Sequence, residues 1–454
     1  GKGEKAYVFQ DACGMRSVFY SAQYPRIASH LNLLLDNLPE VALDKKFEGL
    51  LEKYTSYHLP GFYTTYENIF SLTPNTFLSL PEQKIKRFFP REPLGQEEGL
   101  SVYSEIEPLM ISQIEKLVER FQLLTSLSAG LDSRATLALL KKYVGEVLFF
   151  TYFKENDDGL DVMNSQTLAK DYQTASDITQ NLRLNLVPLP LDYKELKTND
   201  YKEFDFILKK NTFLHHNHYL AWQYFNKLPK NGLHLRSNVN EIFKGFYRGL
   251  QTLPQSINAE NMAACYSKKA IGDTFIQSCF QNFIETVDFD AHYNYDPYDL
   301  FYWEYRLGIW HSSVLLESDV SHDTFCLFNN RWILTKILSL PPTILDEHYF
   351  LHQVINNKWP VLNYWPINGD DGKSKPLLQD GINLQNAVIE GFSLSDEPLP
   401  VYSKKDNDQA LFYLDVNAPE KGDRVSFTLD LPVVPEQGYF LTLFLRYASQ
   451  QPRA

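Results

Sequence analysis

The sequence predicts an α/β protein: a parallel-sheet domain with an N-terminal α+β region before it and a C-terminal β-sandwich after it. Three observations carry this expectation. Short apolar runs alternate with turns as far as about Phe89. A strand, a Ser/Gly loop, a helix and a second strand succeed one another between Phe121 and Phe153. Alternating apolar segments return after Pro376. With 454 residues, two or three domains are expected, and the pattern places them at 1–100, 101–378 and 379–454.

In the first region Ala6–Gln10 and Ser17–Ser21 read as a hairpin around Asp11-Ala-Cys-Gly14, with further strands at Gly61–Thr65 and Thr76–Leu80. Pro90–Gln96 has the composition of a linker. An amphipathic helix is expected from Ile106 to Arg120, because Ile106, Met110, Ile114 and Leu117 share one face. Phe121–Leu127 reads as a buried strand, Ser133–Tyr143 as a helix and Val147–Phe153 as the next parallel strand. Such a βαβ unit gathers ligands at the C-terminal ends of its strands. Ala410–Val416, Arg424–Leu431 and Tyr439–Arg446 alternate apolar and polar residues and are expected to form the sandwich.

Composition narrows the function. Hydrophobic residues at 44% and charged residues at 22% describe a globular chain. A net charge of -13 argues against a general nucleic-acid binder, which needs basic surface for phosphates. ATP remains compatible, since a few local donors and Mg²⁺ suffice. Cys13, Cys265, Cys279 and Cys326 form no CxxC pair and are expected as reduced thiols. The sequence holds no apolar run long enough to span a membrane and no visible signal peptide; it begins Gly-Lys-Gly, without Met, and cytoplasm is the default expectation.

Ser126-Leu-Ser-Ala-Gly-Leu-Asp-Ser-Arg134 is the segment richest in chemistry. Binding a nucleotide phosphate requires backbone N–H groups in a tight turn, small residues for close approach and a helix N-terminus behind them. Ser126 and Ser128 offer hydroxyls, Gly130 permits approach, Asp132 can hold Mg²⁺, and Ser133 stands at the helix start. The bland alternative is an ordinary capped βα turn.

This segment resembles the Ser-x-Gly-Gly-x-Asp-Ser motif of the asparagine-synthetase-like branch of the PP-loop ATP pyrophosphatases, the group of asparagine synthases, β-lactam synthetases and lasso-peptide cyclases. Ala129 stands where the first Gly often lies. Ser237-Asn-Val-Asn-Glu-Ile-Phe-Lys-Gly-Phe-Tyr247 is similar to the family's second motif, and Phe328-Asn-Asn-Arg331 to its later Leu-Asp-His-Arg element. The resemblance implies a PP-loop (adenine nucleotide α-hydrolase-like) domain, ATP and Mg²⁺ as cofactors and Glu241 as the catalytic glutamate. It implies phosphate and nucleotide contacts from Ser126, Leu127, Ser128, Gly130, Asp132, Ser133, Arg134 and Thr151. Asp132 and Asn240 would hold the metal, Asn240 standing where the family carries Asp. Lys373 and Lys375 are the candidates for the family's late catalytic lysine. Asp11-Ala-Cys-Gly-Met-Arg-Ser-Val-Phe-Tyr20 and Leu72-Thr-Pro-Asn75 are similar to parts of class II glutaminase domains. That domain's N-terminal nucleophilic cysteine and its first half have no match, so the chain as given is not expected to hydrolyse glutamine.

Two other segments stay open. Leu214-His-His-Asn-His-Tyr219 could offer His215 and His218 to a metal, line a pocket or pack structurally, and the aromatic run Tyr293–Arg306 could pack a core or line a sugar or peptide pocket. The expected activity is ATP-dependent amide formation through an acyl-adenylate, with a small-molecule, saccharide or peptide carboxylate as substrate. A separate glutaminase or other ammonia source and a homo-oligomer are the partners considered. A catalytically silent relative acting as a binding module is the alternative.

Overall fold

The computed structural model describes residues 6–54, 58–154, 162–249, 253–254, 256–368, 388–394, 397–398, 401–406, 409–414 and 425–430. The chain divides into two compact units, Gly1–Gly372 and Lys373–Ala454.

The first unit is organised by five parallel strands: β1 (Leu123–Ser126), β2 (Val147–Phe153), β3 (Leu186–Pro190), β4 (Gly232–Leu235) and β5 (His322–Phe325). They lie side by side in the order β3-β2-β1-β4-β5. A parallel sheet has to be covered on both faces, and successive residues supply each face in turn. Leu123, Phe149, Leu233 and Leu235 join the main core, with Ile106, Met110 and Ile114 of helix α1 (Gly99–Val118) and Leu137 and Ala138 of helix α2 (Leu131–Leu139). Their neighbours Leu124, Phe150 and Leu189 pack on the opposite face against Tyr224 of helix α3 (His218–Lys227) and the adjoining Leu228. Each of the buried Leu, Ile, Met and Phe side chains contributes about 1.5–3 kcal/mol by leaving water. Pro188 is accommodated because β3 is an edge strand, where a residue without an N–H interrupts the fewest ladder bonds.

Helix α1 begins at Gly99 rather than Ile106, because buried Val102 and Tyr103 extend its apolar stripe. The strand β2 has the bounds expected of it. The expected hairpin of residues 6–21 does not form. Tyr7–Phe9 pairs instead with Thr76–Ser79, which also pairs with Lys84–Arg87, while Phe19–Ser21 pairs with Ile27–Ala28 and Ile69–Ser71. The physical reason lies between the two strands. Asp11 Oδ1 accepts the N–H groups of Cys13 and Met15, and Asn329 Oδ1 also takes the Cys13 N–H, so the turn is pinned to a distant segment. Gly61–Thr65 makes only the isolated bridge Tyr63–Phe70 rather than a strand.

The N-terminal strands are keyed into the rest of this unit by buried polar contacts. Arg87 pairs with Glu304, Asn75 donates to Glu304 at 3.1 Å, and Arg331 donates to Asn75 and to the Asp11 carbonyl at 3.1 Å each. The aromatic run packs the core: Trp303 donates to the Ala12 carbonyl at 2.6 Å and Tyr305 to the Leu59 carbonyl at 2.9 Å. The four cysteines are free thiols; burial pushes Cys265, Cys279 and Cys326 up to about 12, which leaves them poor nucleophiles.

In the second unit Glu397–Pro398, Val388–Leu394 and Val425–Asp430 form one antiparallel sheet, and Val401–Asp406 pairs with Gln409–Leu414 in another. The expected strand Tyr439–Arg446 lies outside the described residues. Among the described residues no helix is long and apolar enough to cross a membrane.

Candidate functional site

The strand order reverses direction on either side of β1: its chain successor β2 lies on one flank and β4 on the other. The loops leaving β1 and β4 emerge side by side at the C-terminal edge, the usual ligand position in such sheets. Both sequence motifs leave the sheet at this edge.

The first motif turns tightly from β1 into α2. Leu127 N–H bonds the Phe150 carbonyl at 2.8 Å, which prolongs the sheet by one residue. Ser133 Oγ accepts the Ser128 N–H and lies 3.1 Å from Ser128 Oγ, which in turn accepts the Gly130 N–H at 3.1 Å. The Ala129 N–H is donated to Asp171 Oδ1 at 2.8 Å, and burial holds the Asp171 carboxyl above its ordinary range despite that bond. Asp132 sits in the first turn of α2, where the helix dipole favours negative charge.

Arg134, expected among the nucleotide contacts, acts in this structure as a brace between the loop and residues 362–366. It is wholly buried, and its guanidinium donates to the carbonyls of Leu362, Trp365, Ala129 and Pro366 at 2.5 to 3.2 Å. Four convergent carbonyls engage its two terminal nitrogens and hold the loop against the 362–366 segment. Burial brings its pKa down to about 10, still well above neutrality. Thr151 is buried within β2, in register with Pro188.

The second motif follows β4 as a short 3₁₀ helix, Asn238–Ile242. Ser237 Oγ lies 2.9 Å from Thr136 Oγ1, tying this motif to α2. The Lys244 N–H bonds the Asn240 carbonyl at 3.2 Å, continuing the turn and setting Glu241 and Lys244 on one face. Lys244 Nζ lies 2.7 Å from Glu241 Oε1 and 2.7 Å from Asp132 Oδ2, so one ammonium joins the two motifs. All three side chains are partly accessible. Burial raises the Glu241 carboxyl above its usual range, with Lys244 opposing and Asp132 reinforcing that rise. For Lys244 burial acts downward, but Asp132 and Glu241 outweigh it and hold the ammonium above its usual range. The sequence signal that could have found Lys244 is its i+3 spacing from Glu241; nothing local marks Asp171.

Mg²⁺ held by the protein would need converging oxygen ligands at about 2.0–2.1 Å and unshared negative charge. Asp132 Oδ2 and Glu241 Oε1 are bonded to Lys244, and among the described residues Asp132 Oδ1 and both amide atoms of the neutral, wholly buried Asn240 have no partner. Of the expected metal ligands, Asp132 thus offers one open carboxylate oxygen and Asn240 one uncharged oxygen, a sparse set for a protein-held Mg²⁺ with an ammonium beside it. Lys373 and Lys375 lie outside the described residues.

On the α3 side of the sheet a cavity of about 110 Å³ opens beside Ser126. Tyr152, His216, His234, Arg236 and Glu317 are among its walls. Arg236 donates Nε to Asn238 at 2.7 Å. His234 is buried with Nδ1 unpartnered, and burial keeps it neutral by lowering its pKa well below the ordinary value. Of the histidine cluster, His216 lines this cavity, in line with the pocket-lining alternative, while His218 Nδ1 pairs with Asp205 at 2.7 Å and its ring lies 4.6 Å from that of His215. Among the described residues no three His, Cys, Asp or Glu side chains are grouped to hold a metal. Phe328–Arg331 faces the N-terminal region, through Asn329 and Arg331, and not the loop.

No family model matches this sequence, and no curated protein matches it. Solved structures that match include the NMN synthetase of Francisella tularensis, at 11% identity over 45% of this chain and 86% of that one, with a TM-score of 0.21. Another is the NH3-dependent NAD synthetase of Campylobacter jejuni subsp. jejuni, at 12% identity over 40% and 78%, with a TM-score of 0.20. At such scores neither superposition defines this chain's fold or site, both of which are read from its own geometry.

Proposed function

We propose that this chain is an ATP-dependent, asparagine synthetase-like ligase that forms an amide bond through an acyl-adenylate. The observation that carries the reading is the meeting of Asp132, from the loop after β1, with Glu241, from the loop after β4, across a single lysine at the C-terminal edge of the sheet. Ser126, Ser128, Gly130 and Ser133 line the triphosphate, the serine hydroxyls exchanging their internal bonds for phosphate oxygens. Backbone near Leu127 and Thr151 holds adenine. A substrate carboxylate oxygen attacks the α-phosphorus and pyrophosphate leaves. An amine then attacks the acyl carbon, AMP leaves, and Glu241 takes the amine's proton. A carboxyl raised by burial is a better base than an ordinary one.

Arg236, in the cavity beside Ser126, suits an anionic part of the acid, whether small molecule, saccharide or peptide. The domain reading belongs to the same proposal: a partial glutaminase-like region over 1–100, the ATP-binding domain over 101–378 and a small β-sandwich over 379–454. Pyrophosphate release from MgATP across a panel of carboxylates tests the reading, with turnover expected to vanish in Asp132→Ala. Absence of ATP binding by calorimetry would leave the alternative, a silent binding module.

A further inference from the structure

Lys244 has no counterpart among the residues that the two motifs lead one to expect, yet it sits at their junction. Its ammonium has three N–H groups. Two are donated to Asp132 and Glu241, one carboxylate from each motif. Among the described residues the third has no acceptor, on a side chain that is 14% exposed. Gly245 follows in the left-handed region, at φ 69°, and ends the turn that presents Lys244. A second observation bears on the same point: among the described residues Asp132 Oδ1 and both amide atoms of wholly buried Asn240 are unpartnered beside this ammonium, and Asn240, being neutral, adds no charge for a metal. A second cation lies nearby, Arg306, stacked 5.2 Å from the Phe246 ring centre and acting on the Glu241 charge.

We propose that Lys244 is the chain's own cation for the ATP triphosphate, standing where a protein-held divalent ion would otherwise lie, so that nucleotide binding needs no divalent ion. The inference rests on the ATP reading above and gives it a specific cofactor requirement: none from the protein side. Asp132 and Glu241 then act as the two anchors that keep the ammonium fixed while its free N–H meets a phosphate oxygen. An ammonium is suited to this as a compact point charge, and it remains protonated throughout the neutral range.

Calorimetric titration of the full chain with ATP, once in excess EDTA and once in excess MgCl₂, tests this. The two dissociation constants are expected to agree within about threefold, and Lys244→Met is expected to weaken binding in EDTA by about tenfold or more, as for loss of one charge-assisted bond. Lys244→Arg, which keeps the charge and guards against a folding defect, is expected to retain binding. Binding by the wild type that disappears in EDTA overturns the inference and leaves the ATP reading intact. Binding in EDTA that Lys244→Met leaves unchanged also overturns it. No binding in either buffer overturns both.

Discussion

Arg87 and Glu304 form a buried ion pair with two parallel hydrogen bonds, at 2.6 and 2.8 Å, between an N-terminal strand and the aromatic helix that follows residue 301. Their side chains are 4% and 0% exposed. Replacing both partners with apolar groups is a mild change, whereas removing one strands a charge in the interior. Arg87→Ala is therefore expected to lower unfolding stability by about 3–5 kcal/mol in urea titration. A loss under half a kcal/mol would mean water reaches Glu304.

Arg134 makes a different prediction from the one its place in the motif suggests. As a brace between the loop and residues 362–366, it holds the phosphate loop's shape. Arg134→Ala is expected to destabilise the fold by about 3 kcal/mol, through four carbonyls left without a charged donor. Arg134→Lys is expected to recover little, because an ammonium cannot reproduce the planar fork. Thermal melts decide this, and a variant that melts normally but fails to bind ATP would restore the nucleotide role.

Glu241→Gln separates the two halves of the proposed reaction. Carboxylate activation does not use the base, and the Gln amide oxygen can still accept from Lys244, so a pyrophosphate burst should persist even with one charged anchor lost, while amide formation falls by about 10²–10⁴-fold. The pH profile carries the same information with a defined sign. A base must be unprotonated, and the Glu241 carboxyl is held high by burial. Amide formation should thus fall off as pH drops through a value above the ordinary carboxylate range. An amide-forming rate that is flat across the acid range argues against Glu241 as the base.

Glu317 gives a stability prediction. Burial pushes its carboxyl up to about 7, although the N–H groups of His216 and Asn217 oppose the rise. Between its ordinary value of 4.5 and about 7 the folded state binds more protons than the unfolded one. Stability from this group is therefore full below 4.5 and declines as pH rises toward about 7. The urea midpoint of the wild type should drop over that window more steeply than that of Glu317→Gln. Equal slopes would show that the carboxyl titrates normally.

Local pattern made some elements legible and left others hidden. Val147–Phe153 declares itself through a run of apolar residues broken only by the β-branched Thr151, and the Ser/Gly loop through small residues between a strand and a helix. Tyr7–Phe9 could not be placed so easily, because its partner Thr76–Ser79 lies far along the chain while Phe19–Ser21 offers a nearer but unused match. Lys244 reads locally as a surface lysine; only the closing of two loops over the sheet puts Asp132 beside it. Asp171 was invisible for the same reason, lying mid-helix until the fold brings it to the Ala129 N–H. Arg134 shows the opposite case, a motif residue whose neighbours in space assign it elsewhere.

The contacts of Asn329 and Arg331 with the Cys13 N–H and the Asp11 carbonyl bear on heredity as well as on packing. Recombination between genes exchanges segments most freely where few contacts cross the breakpoint. A crossover in the Pro90–Gln96 stretch would look harmless in the sequence, yet it would part Asp11 and Arg87 from Arg331 and Glu304. Descendants of this chain should therefore carry the opening strands and the sheet as one inherited block, and shuffled hybrids joined at that stretch should be recovered only when both halves come from close kin.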